Sequence, residues 1–400
     1  MIHLLLFDMD SVLVDAAGYL AALQETVAHV ARAIGAGQQV LTEEEVRIFE
    51  AYAIGSEWDI APTCIGGLLV ERLRREPALS LPECWPEALA YLGAHPHPLP
   101  RHDFGALAAR VGARLAGRTG AARAAQAVLW EDAQAIPNLT PATARAFEAL
   151  LATLLGDTHD FYRAPLTRHF QHLAIGSRGV EATYGVQPDF ESPPYLTLYD
   201  HPLLEAAVRD RLCAAVAGGQ VRMALYTARP SLPPAGVDGA GPGYSPEAEL
   251  ARDLVGLPDV PLIGLGRMQW LAAQHGLALV ELVKPSPVQG LAAIGAAWSG
   301  DERGALEAAL AVHRDGVLRP PFAGQAPAAV HVFEDAVRGL DAVEHGVEAL
   351  RAAGLSVAYH PYGIVSDNGA KRRAMAARGV PCYPSVNQAI EEALRRVVAT

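Results

Sequence analysis

Two aspartates stand where the first apolar run of the chain ends. In HLLLFDMDSVLVD, residues 3 to 15, the run leads straight into Asp8 and Asp10, with Asp15 close behind. Side chains at i and i+2 of a strand share a face, so Asp8 and Asp10 converge if strand geometry persists. Carboxylates that close repel unless a cation or a shared proton compensates. A 400-residue chain contains a DxD by chance on the order of once, so the placement is the informative part. Open α/β sheets put their chemistry where strands end.

Three later segments share that placement. MALYTARP ends an apolar run at Thr227, whose hydroxyl can donate to an oxyanion or simply cap a helix. ELVKPSP ends one at Lys284, ahead of prolines that can start a helix. AAVHVFEDAVRGLDA ends one at Glu334 and Asp335, which could also serve a helix dipole. A lone lysine is ordinarily a solvated surface residue. Here only two of the 32 basic residues are lysines, Lys284 and Lys371. Using lysine where arginine is the habit points to a need for a compact ammonium charge that a planar guanidinium cannot mimic. Lys371, with no such setting, reads as an ordinary surface cation.

A 51% hydrophobic composition over 400 residues is enough for a large core and two to three domains. A net charge of −12 argues against a broad nucleic-acid or anionic-membrane footprint. No apolar run reaches the roughly 20 residues of a membrane span, and Ile2 to Phe7 lacks the flanks of a signal peptide. The expected location is cytoplasmic. Cys64, Cys84, Cys213 and Cys382 form no CxxC pair and read as reduced, mostly buried thiols.

Residues 16 to about 200 carry helical periodicity, as in LAALQETVAHVARAI and PATARAFEALLATLL. From about 203, helices alternate with short apolar runs: VRMALYT, VPLIGL, LALVELV, AAVHVFED and LSVAYH. That alternation predicts a parallel sheet with helices on both faces. The first strand, IHLLLFD, lies some 200 residues upstream of its partners. The expected organisation is therefore an α/β domain of residues 1–15 and 203–400, interrupted by a helical domain over 16–202. RPSLPPAGVDGAGPGYSPE, 229 to 247, reads as a long loop.

The order strand-DxD, strand-Thr, strand-Lys-Pro, strand-Glu-Asp resembles the four motifs of the haloacid dehalogenase superfamily. The resemblance covers 1 to 15 and about 203 to 390. It implies a Rossmann-like parallel sheet, a helical cap inserted after the first strand, Mg²⁺, and phosphoryl transfer through an aspartyl-phosphate. By that resemblance Asp8 is the nucleophile and Asp10 the general acid/base, which also lends its backbone carbonyl to the ion. Thr227 and Lys284 hold the phosphoryl group, and Asp335 with Glu334 holds the metal beside Asp8 and Asp10. Asp10 favours phosphate-ester chemistry over dehalogenation, because a departing alkoxide needs a proton and a halide does not. Two departures stand out: Ser11 follows Asp10 where many relatives carry Gly or Thr, and an extra helix and loop separate Lys284 from Glu334.

The expected function is a magnesium-dependent phosphatase acting on a small phosphorylated metabolite. A phosphomutase uses the same intermediate, and a non-catalytic binding member would show damage among Asp8, Asp10, Thr227, Lys284 and Asp335. Substrate contacts are expected from Arg229 and, within the cap, from two polar breaks. These are GSEWDIAPTC with Trp58, and AIGSRGVEATYG with Arg178 on a loop. His159, His169 and His172 suggest a metal site by type, but His169 and His172, at i and i+3 of an expected helix, read as surface or core-edge residues in preference to one. Oligomeric state is not legible.

Overall fold

The computed structural model describes residues 1–115, 120–219, 221–237, 241, 243–365 and 369–398. The chain forms two compact units. One comprises Met1–Ala17 with Tyr199–Thr400, and the other is Gly18–Leu198.

The first unit is built on a six-stranded parallel sheet. Its strands are β1 (Ile2–Phe7), β4 (Val221–Tyr226), β5 (Leu262–Ile263), β6 (Ala328–Glu334), β7 (Val357–Ile364) and β8 (Cys382–Tyr383). The order across the sheet is β5-β4-β1-β6-β7-β8. The chain thus moves outward from β1 in one direction, returns, and moves outward in the other. That reversal is the topological switch point at which ligands of open α/β sheets bind, outside the carboxyl ends of the strands. Two short segments, β2 (Val14–Asp15) and β3 (His201–Pro202), pair antiparallel as a separate ribbon.

Strand alternation divides β1 between two cores. Leu4 and Leu6 pack on one face with Ala224, Tyr226, Val288, Leu291, Val330 and Val332. Leu5 and Phe7 pack on the other with Leu212, Leu225, Phe333 and Ile390. Helices Pro287–Ser299 and Val337–Ala352 cover the first face, and they approach closely because Gly290 has no side chain. A Cβ there would lie 2.3 Å from the Ala342 carbonyl oxygen.

Two local expectations are corrected, and the expected long loop is found. LALVELV is a single 3₁₀ turn, Leu279–Glu281, with Val280 58% exposed. A run of that length cannot be told from a strand by hydrophobicity alone. Cys64 is buried, but Cys84 and Cys213 are exposed and Cys382 is intermediate. The 229–247 segment is irregular where described, up to the helix beginning at Glu247; residues 238–240 and 242 lie outside the described residues.

The second unit is helical, with helices running from Ala17–Ala33 to Tyr195–Tyr199. The Trp58 segment is no break: Glu57–Arg75 is one helix, its acidic Glu57 and Asp59 in the first turn where the dipole favours them. Arg178 likewise sits on a helix, Gly176–Tyr184, not a loop.

Candidate active site

Register alone assembles the centre of the site. Phe7 pairs with Leu225 on one side and with Phe333 on the other. One residue further along, Tyr226, Asp8 and Glu334 therefore form a row across β4, β1 and β6, all on the face of Leu4 and Leu6. The backbone holds this level, with the Asp8 N–H donating to the Phe333 carbonyl at 3.0 Å.

Lys284 lies over the row. Its Nζ donates to Asp8 Oδ1 at 2.8 Å and to Glu334 Oε1 at 2.6 Å, and it stands 3.9 Å from the centroid of the Tyr226 ring. Gln289, on the following helix, fixes the approach: its Oε1 accepts from the Lys284 N–H and its Nε2 donates to the Thr227 carbonyl. Arg338 Nη2 donates to the Lys284 carbonyl at 3.0 Å.

Glu334 is held by its surroundings as firmly as by the lysine. Its Oε2 accepts from the N–H groups of Asp335 and Ala336, at 3.1 and 3.2 Å. Its other oxygen rests on Gly339, where a Cβ would come within 1.5 Å of Oε1. Any larger residue at that position would displace the Glu334 carboxylate.

Asp335 completes an acidic cluster: one oxygen from each of Asp8, Glu334 and Asp335 lies within 4.8 Å of the others, and all three residues are buried. Burial pushes the Asp8 carboxyl well above its ordinary value; the Glu334 and Asp335 charges push it further, against the Lys284 ammonium. For Lys284, burial disfavours the charge, but Asp8 and Glu334 outweigh it and hold the ammonium above its usual range.

The remaining motif residues form a second network. Asp10 accepts from Arg229 Nε at 2.7 Å, and Arg229 Nη2 also reaches Asp200 Oδ2 at 3.0 Å. The Arg229 N–H donates to Thr227 Oγ1 at 3.1 Å, which leaves the hydroxyl proton as that side chain's donor. Arg229, expected to contact substrate, is 2% exposed and holds Asp10 in place. Ser11, where glycine is the commoner choice, has φ of 61°, so the turn after Asp10 is held in the left-handed region.

Trp58 and Arg178 belong to the helical unit. Trp58 is 5% exposed, a core residue whose ring lies 5.1 Å from that of His159. Arg178 is exposed. Both ring nitrogens of His172 have protein partners, the Arg168 carbonyl and the Asp189 N–H.

Three residues of the α/β site escape the sequence reading. Tyr226 precedes Thr227, and strand alternation alone puts it on the Asp8 face. Asp200 sits in a Pro-rich stretch with no local signal. Lys371, expected to be an ordinary surface cation, pairs with Asp335 Oδ2. Both lysines of the chain therefore touch the acidic cluster, and the scarcity that singled out Lys284 applies equally to Lys371.

An all-oxygen donor set of carboxylates suits a hard divalent cation. Three carboxylates face two ammonium groups, and a cation would offset the excess charge that raises Asp8.

No family model and no curated protein matches this sequence. Among solved structures, an X-ray structure of Northeast Structural Genomics Consortium target ZR25 is similar. It has a TM-score of 0.64 at 13% identity and covers 100% of this chain and 98% of its own. That likeness shows a shared fold. A second similar structure, phosphatase Tt82 from Thermococcus thioreducens, has a TM-score of 0.41 at 13% identity, covering 93% of this chain and 99% of its own.

Proposed function

We propose that the protein is a magnesium-dependent phosphatase of the haloacid dehalogenase type, hydrolysing a small organic phosphate monoester. The observation that carries this reading is the Asp8 carboxylate at the end of the central strand. It lies at a switch point, bonded to a buried lysine and within 4.8 Å of two further carboxylates.

In this reading Asp8 attacks phosphorus through one carboxylate oxygen, forming an O–P bond as the bond to the ester oxygen breaks. Asp10, oriented by Arg229, gives its proton to the departing alkoxide. It then takes one from the water that cleaves the aspartyl-phosphate and regenerates Asp8. Lys284 and the Thr227 hydroxyl hold the phosphoryl oxygens as charge shifts onto them. Mg²⁺ held by Asp8, Asp335 and the Asp10 carbonyl would supply charge neutralisation and alignment of the phosphoryl group. Glu334, whose two oxygens already accept from Lys284 and from backbone N–H groups, acts by holding that lysine.

The test is phosphate release from a panel of phosphorylated sugars, alcohols, amino-acid precursors and nucleotides, with Mg²⁺ and with a chelator. Asp8→Asn, of nearly the same shape, is expected to fold normally and to lose turnover. Substantial phosphate release by that variant, or by the parent in chelator, overturns the mechanism. An isomerised product without released phosphate replaces hydrolysis by phosphomutase chemistry.

A further inference from the structure

Lys371 is the third residue of helix Gly369–Ala377. A cation in the first turn of a helix meets the positive end of the dipole, so helix stability gives no reason for a lysine there. The chain otherwise uses arginine for nearly every positive charge. Yet the ammonium is set on Asp335 Oδ2, with its side chain 41% exposed against 11% for the aspartate. Beside this pair opens a cavity of about 290 Å³, lined by Ser11, Val12, Asp335, Val365, Lys371 and Ser385.

The two lysines therefore stand in different situations. Lys284 is enclosed between two carboxylates and an aromatic face, with its side chain 12% exposed. Lys371 reaches Asp335 on a flexible stem whose side chain is 41% exposed, next to open volume. Resting on the metal site proposed above, we propose that Lys371 is an internal counter-cation that competes with the divalent ion for Asp335, and that ion binding moves its ammonium into the adjoining cavity. The device keeps a buried acidic cluster neutralised between ions and sets the affinity at which an ion is taken up. Arginine, with a larger planar head and weaker hydration, would leave the carboxylate less readily.

The experiment uses Mn²⁺ alone as the probe, titrated by calorimetry into the full chain and into Lys371→Met, Lys371→Gln and Asp335→Asn. An ion pair of this exposure is worth up to about fivefold in an equilibrium constant. Both Lys371 variants are therefore expected to bind Mn²⁺ up to about fivefold more tightly. In parallel, an amine-acetylating reagent read by mass spectrometry follows Lys371, which competes only with Lys284 and the chain terminus for label. Its labelling is expected to speed up several-fold in saturating Mn²⁺ while Lys284 stays protected. Variants that bind Mn²⁺ as the parent does or more weakly, or labelling that Mn²⁺ leaves unchanged or slows, overturn the counter-cation role. If the parent binds Mn²⁺ and Asp335→Asn does not, that overturning leaves the metal site standing. A parent that binds no Mn²⁺ removes the metal site and the counter-cation together.

Discussion

Lys284→Met isolates what the buried ammonium does for the fold, apart from any activity. Methionine keeps most of the stem's volume, so little cavity forms, but Asp8 and Glu334 lose their shared partner. Those contacts are 2.8 and 2.6 Å, and the Lys284, Asp8 and Glu334 side chains are 12%, 12% and 1% exposed. Removing one member of such a pair costs about 3–5 kcal/mol, because the remaining charge is left buried and uncompensated. At roughly 2–4 °C per kcal/mol for a unit of this size, the α/β unit should melt some 6–20 °C lower at pH 8. The sign with pH follows from the carboxylates. Burial and Glu334 already raise Asp8 above its unfolded value, and losing Lys284 raises it further. The folded state then binds protons more tightly than the unfolded chain, so stability falls as pH rises through that window. The deficit of the variant should be full at pH 8 and shrink toward pH 5, by up to about 1.4 kcal/mol per pH unit for each proton taken up. Calorimetric melts of parent and variant at pH 8, 6.5 and 5, in chelator, measure it. A variant as stable as the parent at pH 8, or a deficit that does not narrow on acidification, refutes the reasoning.

Gly339→Ala should displace Glu334, since the new Cβ would fall within 1.5 Å of its carboxylate. A shift of about 1 Å in a catalytic constellation can cost on the order of 10²-fold in rate, so turnover near the parent's in a folded Gly339→Ala protein would show that Glu334 can move without consequence. Acid should loosen the sheet through His331, whose Nε2 meets His3 Nδ1 at 3.0 Å and whose Nδ1 meets the Tyr362 hydroxyl at 3.1 Å. Burial, with the His360 and His3 charges, lowers His331 from 6.5 to about 3. Its contribution is thus present above pH 6.5 and lost as pH falls toward 3, at about 1.4 kcal/mol per unit. Urea midpoints between pH 7 and 5 should fall more steeply for the parent than for His331→Leu, and equal slopes would count against the buried neutral histidine.

The legible part of this protein is what strand alternation and strand ends control. Apolar runs at β1, β4, β6 and β7 announce the sheet, and Asp8, Glu334 and Asp335 meet because parallel strands end on one edge, while Lys284 reaches them from the loop after the 3₁₀ turn Leu279–Glu281. Tyr226 was within reach of the same logic, one residue before Thr227. Asp200 was not: it meets Arg229 through tertiary packing, with nothing in its neighbours to mark it. In the helical unit, Gly, Ser and Pro read as breaks at 55–64 and 174–185, yet both stretches are helical because packing overrides local propensity. Lysine scarcity marked Lys371 no less than Lys284, but its partner depends on where the helix Gly369–Ala377 sits, which no local pattern shows.

The β2–β3 ribbon has a consequence for how such a chain could have arisen. It pins the points where the polypeptide leaves and re-enters the sheet unit, Val14–Asp15 against His201–Pro202, at the roughly 5 Å spacing of paired strands. Whatever lies between must begin and end at one place, and the sheet is indifferent to its length. Even for a floppy segment, a ninefold extension costs only about 2 kcal/mol in closure entropy. For a segment that folds by itself the cost is smaller still. The ribbon is thus a permissive doorway through which one helical module can be traded for another while the acidic row on β1 and β6 keeps its register.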